Sequence, residues 1–410
     1  MKQSLLFIFI SLTVLSSRLV SQTHCDGTRY IEPVFENIDS TIAIQFGENV
    51  TAAGNDKALF MDIYYPEAEF FFRRPLVVLA HGGSFVSGNR KHLRLFCIEL
   101  AERGFVAATI DYRLYDAFNQ PIDSIAVYDV GIKATSDMKA SVRWFKENAS
   151  LSNDFGIDTN NIIIGGVSAG AITALQFAYL DSNDYVSGST IDSVIQANGG
   201  IRGNSSANYA HSDNVKGVLN FSGALKDGHW IDPGENTVFS VHDEFDDVVP
   251  YGQDVSTELG TPVEVSGSAE VHRQAKLDGI RSQLITIKGS EEHVSYFLNG
   301  QNTADYKLVM DSTAIFLEYT VCDRVQKAGH PVDKELVRLF PNPSSSRIHI
   351  RSGQKIKEVS LISMEGKLMK RTSDLDDVST IDVSDLPAGI YQSLIRFNDH
   401  TTVEKRISIN

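Results

Sequence analysis

The stretch Asn161-Ile-Ile-Ile-Gly-Gly-Val-Ser-Ala-Gly-Ala-Ile-Thr-Ala-Leu175 decides how this chain folds. The β-branched run at Ile162–Ile164 is typical of a fully buried strand, and the Ala-rich residues that follow are typical of a helix. Between them lies Gly166-Val-Ser-Ala-Gly170, a G-x-S-x-G pattern at the turn from strand to helix. Glycines on either side of Ser168 let the chain make a tight turn without Cβ clashes. The pattern predicts that Ser168 is a nucleophile held above the edge of a sheet.

Length and charge limit the class of protein. A chain of 410 residues is long enough for two domains. The net charge of −15 argues against nucleic acid or an anionic membrane as a partner. Residues 331–410 carry 12 Lys+Arg and 11 Asp+Glu, so the whole net negative charge falls in the first 330 residues, which carry 25 against 41. This break predicts a domain boundary near residue 330.

The amino terminus has the pattern of a secretory signal peptide. Lys2 precedes an apolar run from Leu5 to Leu15, which is too short to span a bilayer. We predict a signal peptide over residues 1–21 and a first domain over residues 22–330. No later segment is predicted to be a transmembrane helix, so the sequence predicts a secreted or surface protein.

The chain has three cysteines, and an exported protein can form disulfides. Cys25 lies near the start of the mature chain and Cys322 near the end of the first domain, so we predict that they pair. Cys97 falls in the apolar pattern of a helix and is expected to be a buried thiol. No Cys/His spacing fits a zinc site, and neither a metal nor any other cofactor is expected.

Strand and helix patterns alternate through the first domain, which predicts βαβ units and a mainly parallel sheet. The predicted strands are 41–46, 59–65, 76–80, 105–110, 162–164, 215–221, 237–241 and 283–287, and the predicted helices are 91–103, 126–149 and 302–319. Residues 181–214 are rich in Ser, Asn, Asp and Gly. Because long loops in compact domains often bind ligands, we expect this segment to form part of the substrate surface.

A serine nucleophile needs a general base beside it and an acid to orient that base. The loop after the strand at 237–241 offers Asp246 as the acid, with Asp243 and Asp247 as rivals. The loop after the strand at 283–287 offers His293 as the base; the rival His272 lies in a predicted helix. The acidic run could also be a solvated turn or a weak calcium loop. The chain order serine, acid, histidine favours a catalytic triad.

Acyl transfer also needs donors directed at the developing oxyanion. The amide of Ala169, directly after the nucleophile, is one candidate. The others are the amides of Gly83 and Ser84 in His81-Gly-Gly-Ser-Phe85, which follows the strand at 76–80. Paired glycines allow this backbone to turn its N–H groups inward, although the same residues also suit an ordinary turn.

From about residue 336 the pattern changes to short alternating strands separated by turn residues, which predicts a small all-β sandwich. The predicted strands are 348–351, 359–362, 381–383, 390–395 and 403–409. This second domain, residues 331–410, holds no cluster of catalytic residue types. Carbohydrate binding is an alternative hypothesis for this domain, but it has few of the aromatic side chains on which sugars stack.

The motifs together resemble the α/β-hydrolase superfamily, within the carboxylesterases that carry an HGGxF/W oxyanion loop; these include feruloyl and acetyl-xylan esterases. The resemblance covers about residues 25–322 and rests on the His81 loop, Asp111-Tyr-Arg113, the helix with Asp137 and Trp144, the Ser168 turn, and the Asp246 and His293 loops. It implies an α/β-hydrolase fold and a serine esterase that acts on short acyl, acetyl or feruloyl esters, either small or attached to polysaccharide.

The C-terminal residues resemble the type IX secretion sorting domain of Bacteroidetes. The matching motifs are Phe340-Pro-Asn-Pro343, Asp385-Leu-Pro-Ala-Gly-Ile-Tyr391 and the basic last strand around Lys405 and Arg406. The resemblance implies export by outer-membrane secretion machinery. Three alternatives stay open at this point: a catalytically inactive hydrolase fold that serves as a binding module, a polyester hydrolase and a serine peptidase.

Overall fold

The structure is a computed structural model. It describes residues 25, 28–67, 69, 73–119, 122–206, 208–257, 260–298, 301, 303–322, 337–352, 355–363, 367–376, 378–397 and 402–410. The chain divides into two compact units, residues 1–322 and 323–410. The predicted signal peptide and the predicted boundary near residue 330 lie outside the described residues.

The first unit is built on an eight-stranded, mostly parallel sheet, as the alternating patterns predict. Its strands, numbered along the chain, are β1 (Ile38–Val50), β2 (Asp56–Pro66), β3 (Arg74–Ala80), β4 (Val106–Ile110), β5 (Ile157–Val167), β6 (Gly217–Phe221), β8 (Thr237–Asp243) and β11 (Ser282–Ile287). Their order across the sheet is β1-β2-β4-β3-β5-β6-β8-β11. Strands β1 and β2 are antiparallel to their neighbours, and all other pairs are parallel.

Helices cover both faces of this sheet. They are α1 (Arg94–Glu102), α2 (Ser124–Leu151), α3 (Ala169–Tyr179), α4 (Thr190–Ala197), α5 (Ser268–Leu277), α6 (Ser295–Leu298) and α7 (Ala304–Val321). Successive side chains of a strand point to opposite faces. Leu76 and Val78 of β3 accordingly pack with α2 and α3, while Val77 and Leu79 pack with α1 and α7. Two buried cores result, which is why the central strands are apolar throughout.

A three-stranded antiparallel sheet lies outside the main one, and the sequence patterns do not predict it. It consists of β7 (Ala224–Leu225), β9 (Gln253–Ser256) and β10 (Val263–Gly267), in the order β7-β10-β9. Its strands have two to five residues; β7 is buried, whereas β9 and β10 are partly exposed. Such short runs carry little periodicity, so nothing distinguishes them from loop in the sequence.

The structure adds no support for the predicted role of residues 181–214 in the substrate surface, which stays a prediction. None of the described residues in this segment lines the pockets next to Ser168. Its carbonyl groups are instead bound by the long helix α2: Lys139 Nζ lies 2.6 Å from the Ile201 oxygen, and Arg143 Nη1 lies 2.8 Å from the Arg202 oxygen. Irregular backbone needs donors when it is partly buried, and α2 supplies them. The segment braces the scaffold.

The structure joins Cys25 to Cys322 in a disulfide that connects the two ends of the first unit, with a sequence separation of 297. Cys97 is a buried free thiol on α1. Burial raises the pKa of this thiol, which keeps it protonated and chemically inert.

The second unit is a pair of antiparallel sheets, in agreement with the predicted all-β class. One contains β12 (Arg338–Phe340), β13 (Arg347–Arg351) and β16 (Val378–Asp382); the other contains β14 (Ile356–Ser363), β15 (Leu368–Leu375), β17 (Gly389–Phe397) and β18 (Thr402–Ile409). Apolar side chains from both sheets form a single core. Strands β12 and β15 were not predicted, because their sequences lack a clear apolar alternation.

Candidate active site

Ser168 occupies the sharp turn between β5 and α3. Its φ and ψ are 53° and −121°, a conformation that non-glycine residues rarely adopt. The backbone N–H of Ser168 donates to the Phe221 oxygen at 2.8 Å, which fixes the turn against β6. A Cβ at Gly170 would lie 2.1 Å from the Ala80 oxygen, so only glycine allows α3 to start this close to β3. The G-x-S-x-G pattern therefore builds the strained turn that it predicts.

Asp246 and His293 lie together, although 47 residues separate them. Asp246 is in the loop after β8, and His293 is in the loop after the neighbouring parallel strand β11. Nδ1 of His293 lies 2.7 Å from Oδ2 of Asp246. A carboxylate only accepts, so Nδ1 carries the proton and Nε2 is left as the acceptor. This is the tautomer that a general base needs.

The carboxylate of Asp246 is held by more than the histidine. Its Oδ1 accepts hydrogen bonds from the amides of Val248 and Val249, both at 2.9 Å. Nε2 of His242 lies 3.2 Å from Oδ2 of Asp246. Burial raises the pKa of the Asp246 carboxyl, but the hydrogen bonds from His242 and His293 outweigh this and bring the pKa well below its usual range. The carboxylate is therefore ionised and fixed in position.

His242 is a residue of the site that sequence reasoning missed. It is fully buried at the end of β8. Its Nδ1 lies 2.6 Å from the Ser268 hydroxyl, and its Nε2 lies 2.9 Å from the Val249 oxygen. With Ser268 donating to Nδ1, the Nε2 proton faces Val249 and Asp246. The sequence did contain a signal for this contact, because His242 lies at a strand end, four residues before the candidate acid Asp246.

The rival residues have other partners. Asp243 is buried and bonds the amide and hydroxyl of Ser295, which anchors the chain just after His293. Asp247 is exposed. His272 lies on helix α5, and its Nδ1 is 2.8 Å from the Ser282 hydroxyl. Of the predicted acids and bases, the structure brings together only Asp246 and His293.

The predicted oxyanion loop lies against the nucleophile. A Cβ at Gly82 would be 3.2 Å from the Cβ of Ser168, so the two segments are in van der Waals contact. Gly83 has φ +124°, and its oxygen accepts from the amides of Val86 and Ser87, each at 3.0 Å. This backbone needs glycine, because few other residues adopt such a φ. Gly83 and Ser84 thus lie beside Ser168, as does Ala169 at the start of α3.

Two pockets meet at Ser168. The first, about 90 Å³, is apolar and lies between α2, α3 and the β9–β10 hairpin; we call it the hairpin pocket. The second, about 560 Å³, is lined by His293 and by residues of α1 and α6; we call it the histidine pocket. Ser168 and Ser84 line both pockets. His293 and Ser168 therefore face a common space, and an ester bound there would reach both.

Arg113 and Asp137 support the site from a distance. Nη2 of Arg113 lies 2.8 Å from Oδ1 of Asp137, and both side chains are buried. The neighbouring Tyr112 donates its hydroxyl to the His81 oxygen at 2.8 Å and stacks on the His81 ring. The Asp-Tyr-Arg motif therefore fastens the oxyanion loop to the long helix α2.

Comparison with known proteins agrees with this architecture. Residues 61–227 match the BD-FAE family, an α/β-hydrolase esterase family, and residues 338–410 match the secretion system C-terminal sorting domain. The first unit therefore has the α/β-hydrolase fold, and the second unit matches a sorting domain. The sorting domain indicates export through the type IX route, to the cell surface or beyond it. None of the helices in the described part of the chain combines the length and the hydropathy that a membrane span requires.

Individual relatives are distant. The juvenile hormone esterase of Tribolium castaneum is 27% identical over 137 residues, which cover 32% of this hydrolase and only 22% of the relative. Esterase 2 of Thermogutta terrifontis with propionate bound is 19% identical, with 71% of this chain and 96% of that chain covered and a TM-score of 0.48. The same esterase phosphorylated by paraoxon is also 19% identical, with 69% of this chain and 94% of that chain covered and a TM-score of 0.48.

Proposed function

We propose that this hydrolase is a secreted serine esterase in which Ser168, His293 and Asp246 form the catalytic triad. The observation that carries the proposal is the 2.7 Å contact between Asp246 and His293, because His293 lines a pocket that Ser168 also lines. Each residue follows a parallel strand of one sheet, so all three lie at the same sheet edge. The proposed substrates are carboxylic esters of short acyl, acetyl or feruloyl groups, either small or attached to polysaccharide.

The chemistry follows from the positions of the groups. Ser168 Oγ attacks the ester carbonyl carbon while Nε2 of His293 takes its proton. The carbonyl oxygen becomes an oxyanion, which the amides of Gly83, Ser84 and Ala169 stabilise. The intermediate collapses, and the leaving alkoxide takes the proton from His293. Water then attacks the acyl-enzyme with His293 as base, which releases the acid and restores the serine.

Asp246 keeps His293 in the required orientation and stabilises the imidazolium that forms in each step. Its carboxylate is suited to this role because the amides of Val248 and Val249 and the ring of His242 already hold it. Such preorganisation means that little reorientation is needed during the reaction.

Replacing the nucleophile tests the proposal. Ser168→Ala should fold with an unchanged unfolding transition and lose turnover of 4-nitrophenyl acetate. Ser222→Ala is a matched control, because Ser222 also follows a strand of the sheet with a positive φ, yet it bonds Tyr296 and lines neither pocket at Ser168. Activity retained by the Ser168 variant would refute the assignment.

A fluorophosphonate probe separates an active esterase from a catalytically inactive binding module. The wild-type hydrolase should be labelled at Ser168, since the probe requires an activated serine. Absence of labelling in a folded protein would favour the inactive module. Hydrolysis of peptide amides at a rate similar to that of esters would favour a peptidase.

A further inference from the structure

The two pockets at Ser168 are unequal in size and in catalytic surroundings. The histidine pocket is lined by His293, Phe96 and Phe297 among others and has a volume of about 560 Å³. The hairpin pocket has a volume of about 90 Å³ and is lined mainly by aliphatic side chains, which include Ile172, Leu225, Val249, Val263 and Val265. His293 is absent from its lining residues. An ester bound at Ser168 would place one part of itself in each pocket.

The chemistry decides which part enters which pocket, and this step rests on the proposed function. His293 must give its proton to the leaving oxygen, so the alcohol has to lie beside His293. Of the two pockets, only the histidine pocket borders that residue. The acyl group points the other way, into the hairpin pocket, where Ser84 and Ala169 border the carbonyl end.

The small volume of the hairpin pocket restricts the acyl group. An engineered apolar cavity of about 150 Å³ in another protein holds one benzene molecule. At about 90 Å³, the hairpin pocket is smaller than that cavity. Its aliphatic walls match a hydrocarbon chain, whereas a substituted aromatic ring would have to displace packed side chains. Overpacking of that kind is unfavourable, because it forces side chains and backbone out of their preferred positions.

We propose that the hairpin pocket is the acyl subsite and selects narrow aliphatic acyl groups, while the histidine pocket accepts bulky or aromatic alcohols. The structure thereby favours aliphatic esters such as acetates and butyrates over feruloyl esters. Val263 and Val265, on one side of the partly exposed strand β10, are the specificity-determining residues of the subsite.

Two isomeric esters test the proposal directly. Benzyl acetate and methyl phenylacetate have the same atoms, but the aromatic ring is on the alcohol in the first and on the acyl group in the second. Hydrolysis of each ester releases a simple alcohol, benzyl alcohol or methanol, so the intrinsic reactivities of the two esters are similar. We expect kcat/KM to be at least about tenfold higher for benzyl acetate. An equal or inverted ratio would overturn the proposal.

Variants of the hairpin identify the subsite. Val265→Ala and Val263→Ala should each raise kcat/KM for methyl phenylacetate relative to benzyl acetate by about tenfold. Val255→Ala is the matched control, because Val255 lies on the adjacent strand β9, is 46% exposed and does not line the pocket. The ratio should not change in that variant. If none of the three changes the ratio, the hairpin pocket is not the acyl subsite.

The outcome can be separated from that of the proposed function. If Ser168→Ala abolishes turnover of both isomers while the wild type prefers methyl phenylacetate, the esterase stands and the subsite assignment fails. If turnover of both isomers survives Ser168→Ala, the proposed function itself fails.

Discussion

Asp246→Asn tests the role of the acid with little change in shape. Oδ1 of Asp246 accepts from the amides of Val248 and Val249, and the carboxamide oxygen can keep these two bonds. The NH₂ group then takes the position of Oδ2, which faces Nδ1 of His293 at 2.7 Å. An NH₂ group cannot accept, so Nδ1 must give up its proton and Nε2 must carry it. The nitrogen that should deprotonate Ser168 is then blocked.

The expected loss is large. In serine proteases the same replacement of the triad acid lowers kcat by about 10⁴-fold, through the same change of tautomer. A factor of this size corresponds to about 5.4 kcal/mol of transition-state stabilisation. KM should change far less, because Asp246 lines neither pocket at Ser168. The fold should persist, since both backbone contacts of Oδ1 survive.

Steady-state kinetics with 4-nitrophenyl acetate measure this effect, and circular dichroism checks the fold. Asp247→Asn is the matched control: it removes an acidic group from the next residue, which is exposed. We expect kcat of the control to remain within about twofold of the wild type. If Asp246→Asn retains more than a tenth of wild-type kcat, Asp246 is not the orienting acid and the reasoning about the tautomer is wrong.

Two further predictions concern stability. Removing the disulfide with Cys25→Ala and Cys322→Ala should lower the free energy of unfolding, and the chain-entropy relation gives about 5.7 kcal/mol as an upper value for a separation of 297. Urea titration measures this loss. Under reducing conditions the wild type lacks the bond too, so the double variant and the wild type should then be equally stable. The pKa of Asp246 is lowered in the folded state, so its contribution to stability is complete above the unfolded value of about 3.9 and is lost as the pH falls below it. Unfolding free energy should therefore depend less steeply on pH below 4 in Asp246→Asn, and an unchanged slope would contradict the lowered pKa.

Much of the fold and the positions of the three residues of the proposed triad could be predicted from the sequence, because each part has a strong local pattern. Buried parallel strands are continuous apolar runs, and a residue directly after such a strand must lie at the carboxyl edge of the sheet. Ser168 directly follows β5, and Asp246 and His293 lie in the loops that follow β8 and β11. Positions along a chain thus become positions in space once the strand order is known.

The parts that could not be predicted depend on contacts between distant segments. The hairpin of β9 and β10 is formed by partly exposed strands of four and five residues, which have no distinct periodicity. Residues 181–214 are rich in polar residues and, outside the short helix α4, irregular, and this holds whether they cover a substrate or brace a helix. Only the fold shows that Lys139 and Arg143 bind their carbonyl groups. Composition cannot distinguish these two roles.

The connection between β8 and β11 supplies both the acid and a wall of the proposed acyl subsite. The amides of Val248 and Val249 hold Asp246, while their side chains line the hairpin pocket. A substitution at either valine that displaces its backbone amide would therefore alter the subsite and the position of the acid together. Val263 and Val265 line the same pocket from β10. In the described part of the chain, Asp246 is bonded by Val248, Val249, His293 and His242 and not by these two valines. Specificity can thus change at β10 without a loss of catalysis, whereas at Val249 the two are coupled.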